Sequence, residues 1–205
     1  MKRIVAVLAV SSAFVATSAY AQASPPYGST VHRHLGFALR LDAGPGYTST
    51  NASAFDASMK GGSFAFGLVL GGAVSEDFIL GGDIWGTTVF SPTLTQGSLA
   101  VSTSDSTFSL TGFGLNLTYY FMPANVYVSL SPSLTTVSLT VGGASGSTDV
   151  GFGMKLAVGK EWWVSDHWGL GVAGQFFFAS NKDKGTNPPT WSTTAFAVAL
   201  SATYN

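Results

Sequence analysis

The chain has 205 residues, of which 9 are basic and 10 acidic, no cysteine, and a charged fraction of only 9%. A soluble domain carries roughly 25% charged residues, so the sequence lacks the side chains that normally meet water. Its net charge of −1 argues against nucleic acid as a partner, and without cysteine neither a disulfide framework nor a lipid anchor on a thiol is available.

Mean hydropathy is +0.32, yet beyond the N-terminus no segment approaches the roughly 18 apolar residues of a membrane helix. The N-terminus itself has the layout of an export signal. Lys2-Arg3 is followed by an apolar run, Ile4 to Val10, then by small residues to Ala19-Tyr20-Ala21, a cleavage site. Residues 1–21 are therefore expected to be a cleaved signal peptide. Residues 22–35, with Pro25-Pro26, form a short periplasmic leader, and residues 36–205 the folded domain.

That domain divides into eight stretches in which side chains alternate with the period of two that defines a strand. The first, Gly36 to Ala43, sets Phe37, Leu39 and Leu41 against Ala38, Arg40 and Asp42. Gly44-Pro45-Gly46 is expected to break it, and a loop rich in Ser, Thr, Asn and Ala to run to Lys60. The second, Gly62 to Gly72, sets Phe64, Phe66, Leu68 and Leu70 against Ser63, Ala65, Gly67 and Val69. A short turn at Val74-Ser75-Glu76-Asp77 leads to the third, Phe78 to Phe90. A long polar loop, 91–106, contains Pro92 and Gly97.

In the fourth, Thr107 to Phe121, Phe113, Leu115, Leu117, Tyr119 and Phe121 oppose Gly112, Gly114, Asn116 and Thr118. The turn Met122-Pro123-Ala124-Asn125 follows. The fifth, Val126 to Val141, carries Pro132 inside it, which predicts a bulge or locally broken pairing. After the loop 142–148 come the sixth and seventh, joined by Trp162-Trp163-Val164-Ser165-Asp166-His167-Trp168. There Phe152, Met154, Leu156 and Val158 oppose Gly153, Lys155, Ala157 and Gly159, and Leu170, Val172, Phe176 and Phe178 oppose Gly169, Gly171, Ala173 and Gln175. A last loop, Asn181 to Thr190, precedes the eighth, Trp191 to Tyr204. The turn sequence Val74 to Gly81 is echoed by Val164 to Gly171, as a repeated hairpin or as turn chemistry used twice.

Which face meets which solvent decides the class. In a soluble barrel the bulky face is the core and the other face meets water. Here that other face is Gly, Ala, Ser and Thr with an occasional charge. A barrel in lipid inverts the arrangement, with bulky residues against acyl chains and small or polar ones inside. An even strand number with long and short connections alternating fits this arrangement as well. The fold class expected is an all-β, eight-stranded antiparallel up-and-down transmembrane β-barrel. A secreted lipocalin-like barrel binding a hydrophobic ligand is the alternative, and it would need a charged exterior that this chain lacks.

The export signal, the eight alternating strands and their aromatic ends together resemble the small outer-membrane barrels of the OmpX type and the OmpA transmembrane domain. Asn205 follows the last aromatic, Tyr204, where those barrels end on the aromatic itself. The resemblance implies an outer-membrane location, outer-membrane lipid and the barrel-assembly machinery as partners, a monomer, and a structural or surface-interaction role. That role would be carried by the long loops at 46–61, 91–106, 142–149 and 181–190.

Two sets of residues stand out. Arg40, Asp42, Asp83, Asn116, Lys155 and Gln175 all have lumen parity five to seven residues from the short-turn end. Two cations and two anions at that height suit a closed ion-pair network filling the lumen, and an interior of eight strands is just wide enough for side chains. Tyr119, Phe121, Trp162, Trp163, Trp168, Trp191 and Tyr204 are expected at the membrane boundary, where aromatic girdles sit. Trp85 has lumen parity and is expected to plug the outer mouth. An outer-membrane lipid-modifying enzyme would need a His beside Ser or Asp at the outer leaflet. His32, His34 and His167 instead fall at the short-turn end as solvated or interfacial residues, His32-x-His34 being at most a weak metal site. No catalytic residue, metal site or cofactor is assigned.

Overall fold

The computed structural model describes residues 33–52, 57–97, 99–102 and 105–205. The expected signal peptide, its cleavage site and most of the leader, His32 included, lie outside the described residues. The strands are β1 (Phe37–Ala52), β2 (Ala57–Ser75), β3 (Phe78–Phe90), β4 (Thr93–Gln96), β5 (Leu99–Ser102) and β6 (Ser106–Phe121). They continue with β7 (Val126–Val141), β8 (Ala144–Ser147), β9 (Gly151–Trp163), β10 (Trp168–Lys182) and β11 (Thr190–Tyr204).

Eight of these form one antiparallel wall in the order β1-β11-β10-β9-β7-β6-β3-β2, and β2 returns to pair with β1. The sheet is closed, and every barrel strand has a partner on both sides. β4, β5 and β8 stand outside the circle. The β4–β5 hairpin extends from the far end of β2, pairing Ala57–Lys60 with Thr93–Gln96, and β8 folds back on the end of β7. The two ends of the barrel therefore differ. One carries the short turns at 76–77, 122–125 and 164–167, and the other is a raised rim.

Alternation puts bulky side chains outside along the whole wall. Leu41, Phe66, Ile84, Leu115, Leu134 and Phe152 are exposed, while their neighbours Asp42, Gly67, Asp83, Asn116, Ser133 and Gly153 are buried. A belt of this kind would be an aggregation surface in water and is the natural exterior in hydrocarbon.

The strands run further than the sequence pattern suggests. β1 does not stop at Gly44-Pro45-Gly46 but continues to Ala52, paired throughout with β2. Pro45 has no N–H to give, and the ladder to β11 skips Gly44 and Pro45 without changing register. A Cβ on Gly44 would lie 2.0 Å from the Val198 carbonyl oxygen, so only glycine permits that approach. Pro132 follows the same rule. The β6–β7 ladder skips Leu115–Asn116 and Ser131–Pro132 at constant register, so the pairing is broken locally and no bulge forms. Across that break the Asn116 side-chain amide donates to Ser131 Oγ at 2.9 Å.

Most of the expected loops are strand as well. In β1, Thr48 and Thr50 point inward and share hydrogen bonds with Thr87 (2.9 Å) and Thr193 (2.8 Å). Thr50 and Thr193 are direct register partners, a good cross-strand pair, while Thr48–Thr87 ties β1 to β3 across the lumen, so this Ser/Thr-rich stretch extends the wall instead of leaving it. The 91–106 stretch holds the β4–β5 hairpin. At 142–143 two glycines with φ of +56° and +86° make the tight turn into β8.

Candidate functional site

The lumen is packed in layers. At the short-turn end lies a cluster of Ala38, Ile79, Tyr120, Tyr127, Ala157 and Ala173. Towards the rim lies a larger one of Met59, Val89, Phe108, Leu110, Val137 and Phe177, with Trp85 and several alanines. Between them is the polar layer.

All six polar residues expected there are buried, and each takes part in a hydrogen bond within the layer. Lys155 Nζ sits 2.8 Å and 3.1 Å from the two carboxylate oxygens of Asp83, and Ser131 Oγ donates to the same carboxylate at 2.5 Å. Asn116 donates to Ser129 (2.8 Å) as well as to Ser131, and accepts from Thr118 Oγ1 at 2.7 Å. Arg40 reaches the layer through Ser129 (3.1 Å) and Thr118 (3.4 Å) and lies 4.6 Å over the Tyr127 ring. Gln175 donates to Asp42. The only direct ion pair among the described lumen groups is Lys155–Asp83; Arg40 is tied in through two hydroxyls and an aromatic ring. Replacing hydration by such contacts is what lets charges remain inside a wall that faces lipid.

Glycines make the room. A Cβ at Gly67 would lie 2.7 Å from Asp42 Oδ1, one at Gly112 2.4 Å from the Trp85 indole, and one at Gly159 2.5 Å from the Tyr127 ring. Small residues on one strand are the sockets for large ones on another.

Two lumen residues escape a count of five to seven from the turn. Glu161 is buried, accepting from Thr203 Oγ1 at 2.6 Å and from the Tyr120 hydroxyl at 3.4 Å. Its parity with Lys155, Ala157 and Gly159 was the signal that could have found it. His34 is fully buried, not solvated: its ring stacks on Tyr120 at 3.7 Å between centroids, and Nε2 lies 2.9 Å from Asn125 Oδ1. The chain before β1 turns into the barrel end, which strand periodicity cannot reveal. His167 stays exposed and stacks on Tyr204.

The aromatic set divides. Tyr119, Phe121, Trp162 and Trp168 are exposed on the outer face at the short-turn end, with Tyr204 packed edge-on against Trp168 at 5.3 Å. Trp163 does not belong with them: it has the inward parity of Glu161 and lies 5.2 Å from His34. Trp191 is at the opposite end and inside, sharing parity with buried Thr193 and Ala195 and packing on the rim-side cluster. Trp85 is not at the mouth. It is buried at mid-height, donates to Ser133 Oγ at 2.8 Å and packs on Phe177 at 5.2 Å, with Leu110, Val89 and Phe108 above it.

Closure by eight antiparallel strands, an apolar exterior and a side-chain-filled interior define an eight-stranded transmembrane β-barrel. Solved structures place the fold among small outer-membrane barrels. Neisserial surface protein A matches with a TM-score of 0.56 and 16% identity, over 82% of this chain and 96% of that one. The outer membrane protein OprG from Pseudomonas aeruginosa matches with a TM-score of 0.53 and 12% identity, over 86% of this chain and all of that one. No family model matches the sequence, and no curated protein does.

Proposed function

We propose that this protein is an exported, integral outer-membrane barrel with a closed lumen, whose role is structural or surface-interacting and is carried by its rim. The observation behind this reading is the division of labour in the wall: bulky side chains outside, a buried, hydrogen-bonded polar layer inside. Lys155, Asp83, Asn116 and Trp85 occupy the cross-section where a pore would run. The rim, by contrast, is raised above the barrel by β4, β5 and β8, and it carries exposed Leu99, Val101 and Val141. Outer-membrane lipid is its solvent and the barrel-assembly machinery its partner during biogenesis.

Among the described residues no histidine stands at the rim, where a lipid-modifying enzyme would need one. His34 and His167, the described histidines, are both at the short-turn end, the first engaged with Asn125 and Tyr120. A catalytic role is therefore not proposed. The test is fractionation of expressing cells with gel migration before and after boiling, together with planar-bilayer recording. Recovery in the outer membrane, faster migration unheated and no large steady conductance are expected. A mature protein soluble without detergent would reject the placement, and a steady open channel would reject the closed lumen.

A further inference from the structure

Above the Trp85–Phe177 layer the lumen holds the apolar cluster beside paired hydroxyls such as Thr50–Thr193, and at the rim it opens into a cavity of about 250 Å³. Its walls include Met59, Val137, Leu139, Val141 and Trp191, with β8 along one side. Met59 and Val137 are also part of the buried rim-side cluster, and Trp191 and Leu139 pack against it. The sequence pattern placed Trp191 at the membrane boundary and assigned Met59, Val137, Leu139 and Val141 to no site.

We infer that this cavity is a binding site for a small, neutral, hydrophobic molecule that enters from the aqueous side of the rim. Three observations carry the inference. The polar groups at its edge each already accept a hydrogen bond from a neighbouring residue. Thr148 Oγ1 accepts from Val137 N at 3.1 Å, Ser147 Oγ accepts from Lys184 Nζ at 3.1 Å, and Asp183 Oδ1 accepts from Lys184 N at 2.8 Å. They offer a polar ligand little, whereas the apolar walls favour any molecule that releases water from them. Size comes next: an apolar cavity of about 150 Å³ holds benzene, so this one accommodates a molecule of roughly two fused rings or the equivalent aliphatic bulk. Direction is the third. Met59, Val137, Leu139 and Trp191 all stand on the inward side of their strands, so the wall separates the cavity from bilayer lipid and selects a free solute over an acyl chain.

This rests on the reading that the rim is the working end, but its test does not depend on the compartment. Protein carrying ¹³C-methyl methionine, folded in lipid nanodiscs, is titrated with naphthalene. Met59 lines the cavity, while Met154 lies on the lipid-facing side of β9 and Met122 in a turn at the far end. Those two report simple partitioning into the lipid. A saturable, ring-current shift at Met59 is expected, with only linear drift at Met154 and Met122. Leu139→Trp should abolish the saturable part and leave heat-modifiable migration intact. Should that variant misfold, Gly146→Trp fills the cavity from β8, where an added Cβ meets nothing within 4 Å. Linear drift at all three methionines, or a saturable shift that survives the folded filling variant, overturns the site. Fractionation to another compartment would instead reject the placement and leave this result standing.

Discussion

The two halves of the lumen solve the same problem by opposite means. Near the short turns, the interior is filled with charges and amides tied by short hydrogen bonds: Arg40, Asp42, Asp83, Asn116, Lys155, Glu161. Near the rim the bulk is Phe108, Leu110, Val137 and Phe177, which need only volume, beside a few paired hydroxyls such as Thr50–Thr193. The polar half is directional, so each member depends on a named partner. The apolar half tolerates exchange and can leave space, and the cavity is found there. A barrel can thus be locked at one end and adaptable at the other.

The sharpest way to break the contrast is to remove one partner in the locked half. Lys155→Met leaves Asp83 buried and unpaired, and should cost about 3–5 kcal/mol in urea unfolding from detergent micelles. The double substitution Lys155→Met with Asp83→Leu should recover most of that loss, because the pair then leaves together. If the double variant is no more stable than the single one, the ion pair is not what the layer is built on.

Next in size is a change on the other side of the same strand. Leu156→Lys puts a charge among acyl chains and should cost about 2–4 kcal/mol near the midplane. Spin labels check the geometry directly: lipid-soluble oxygen should reach a label at 156 and not one at 155. The reverse pattern would falsify the assignment of faces.

Trp85→Phe probes the boundary between the halves. The smaller ring leaves space beside Gly112 and Phe177 and Ser133 loses its donor, so a loss of about 1–3 kcal/mol is expected. A loss well above that would mean that the indole itself, not its hydrogen bond, divides the two halves. The smallest effect is expected at the rim. Replacing residues 93–102 by a Gly-Ser linker removes β4 and β5, which lie outside the closed wall. Heat-modifiable migration should persist, with a loss of about 1 kcal/mol from the Leu94 side chain that packs on the rim-side cluster.

Much of this was legible in the sequence because strand alternation is local. Lys155 next to Leu156, or Asp83 next to Ile84, fixes which face is which without any long-range knowledge. Three things were not legible. Strand length failed where Ser and Thr dominate, since above the membrane both faces are polar and β1 reads like loop after Pro45. The rim-side cavity is lined from β2, β7, β8 and β11 together, which no single strand encodes. His34 needs the few residues just before β1 to turn into the barrel end. Trp163 and Trp191 are a different matter, because their parity with Glu161 and Thr193 was readable. Aromatic identity alone suggested a girdle, and position overrode it.

The skipped ladder positions at Gly44 and Pro45 have a consequence for how the barrel closes. They lie on the β1–β11 seam, which joins the two ends of the domain, with Leu39 opposite Tyr204 and Ala52 opposite Trp191. Contacts between residues so far apart in the chain are intrinsically slow to form. Because the ladder is interrupted there, the seam zips as two short runs, Leu39–Ala43 and Gly46–Ala52, each of which can open without the other. The barrel thus has a built-in weak stitch at its final join, and amide exchange should begin there while the Pro132 break, braced by Asn116, stays shut.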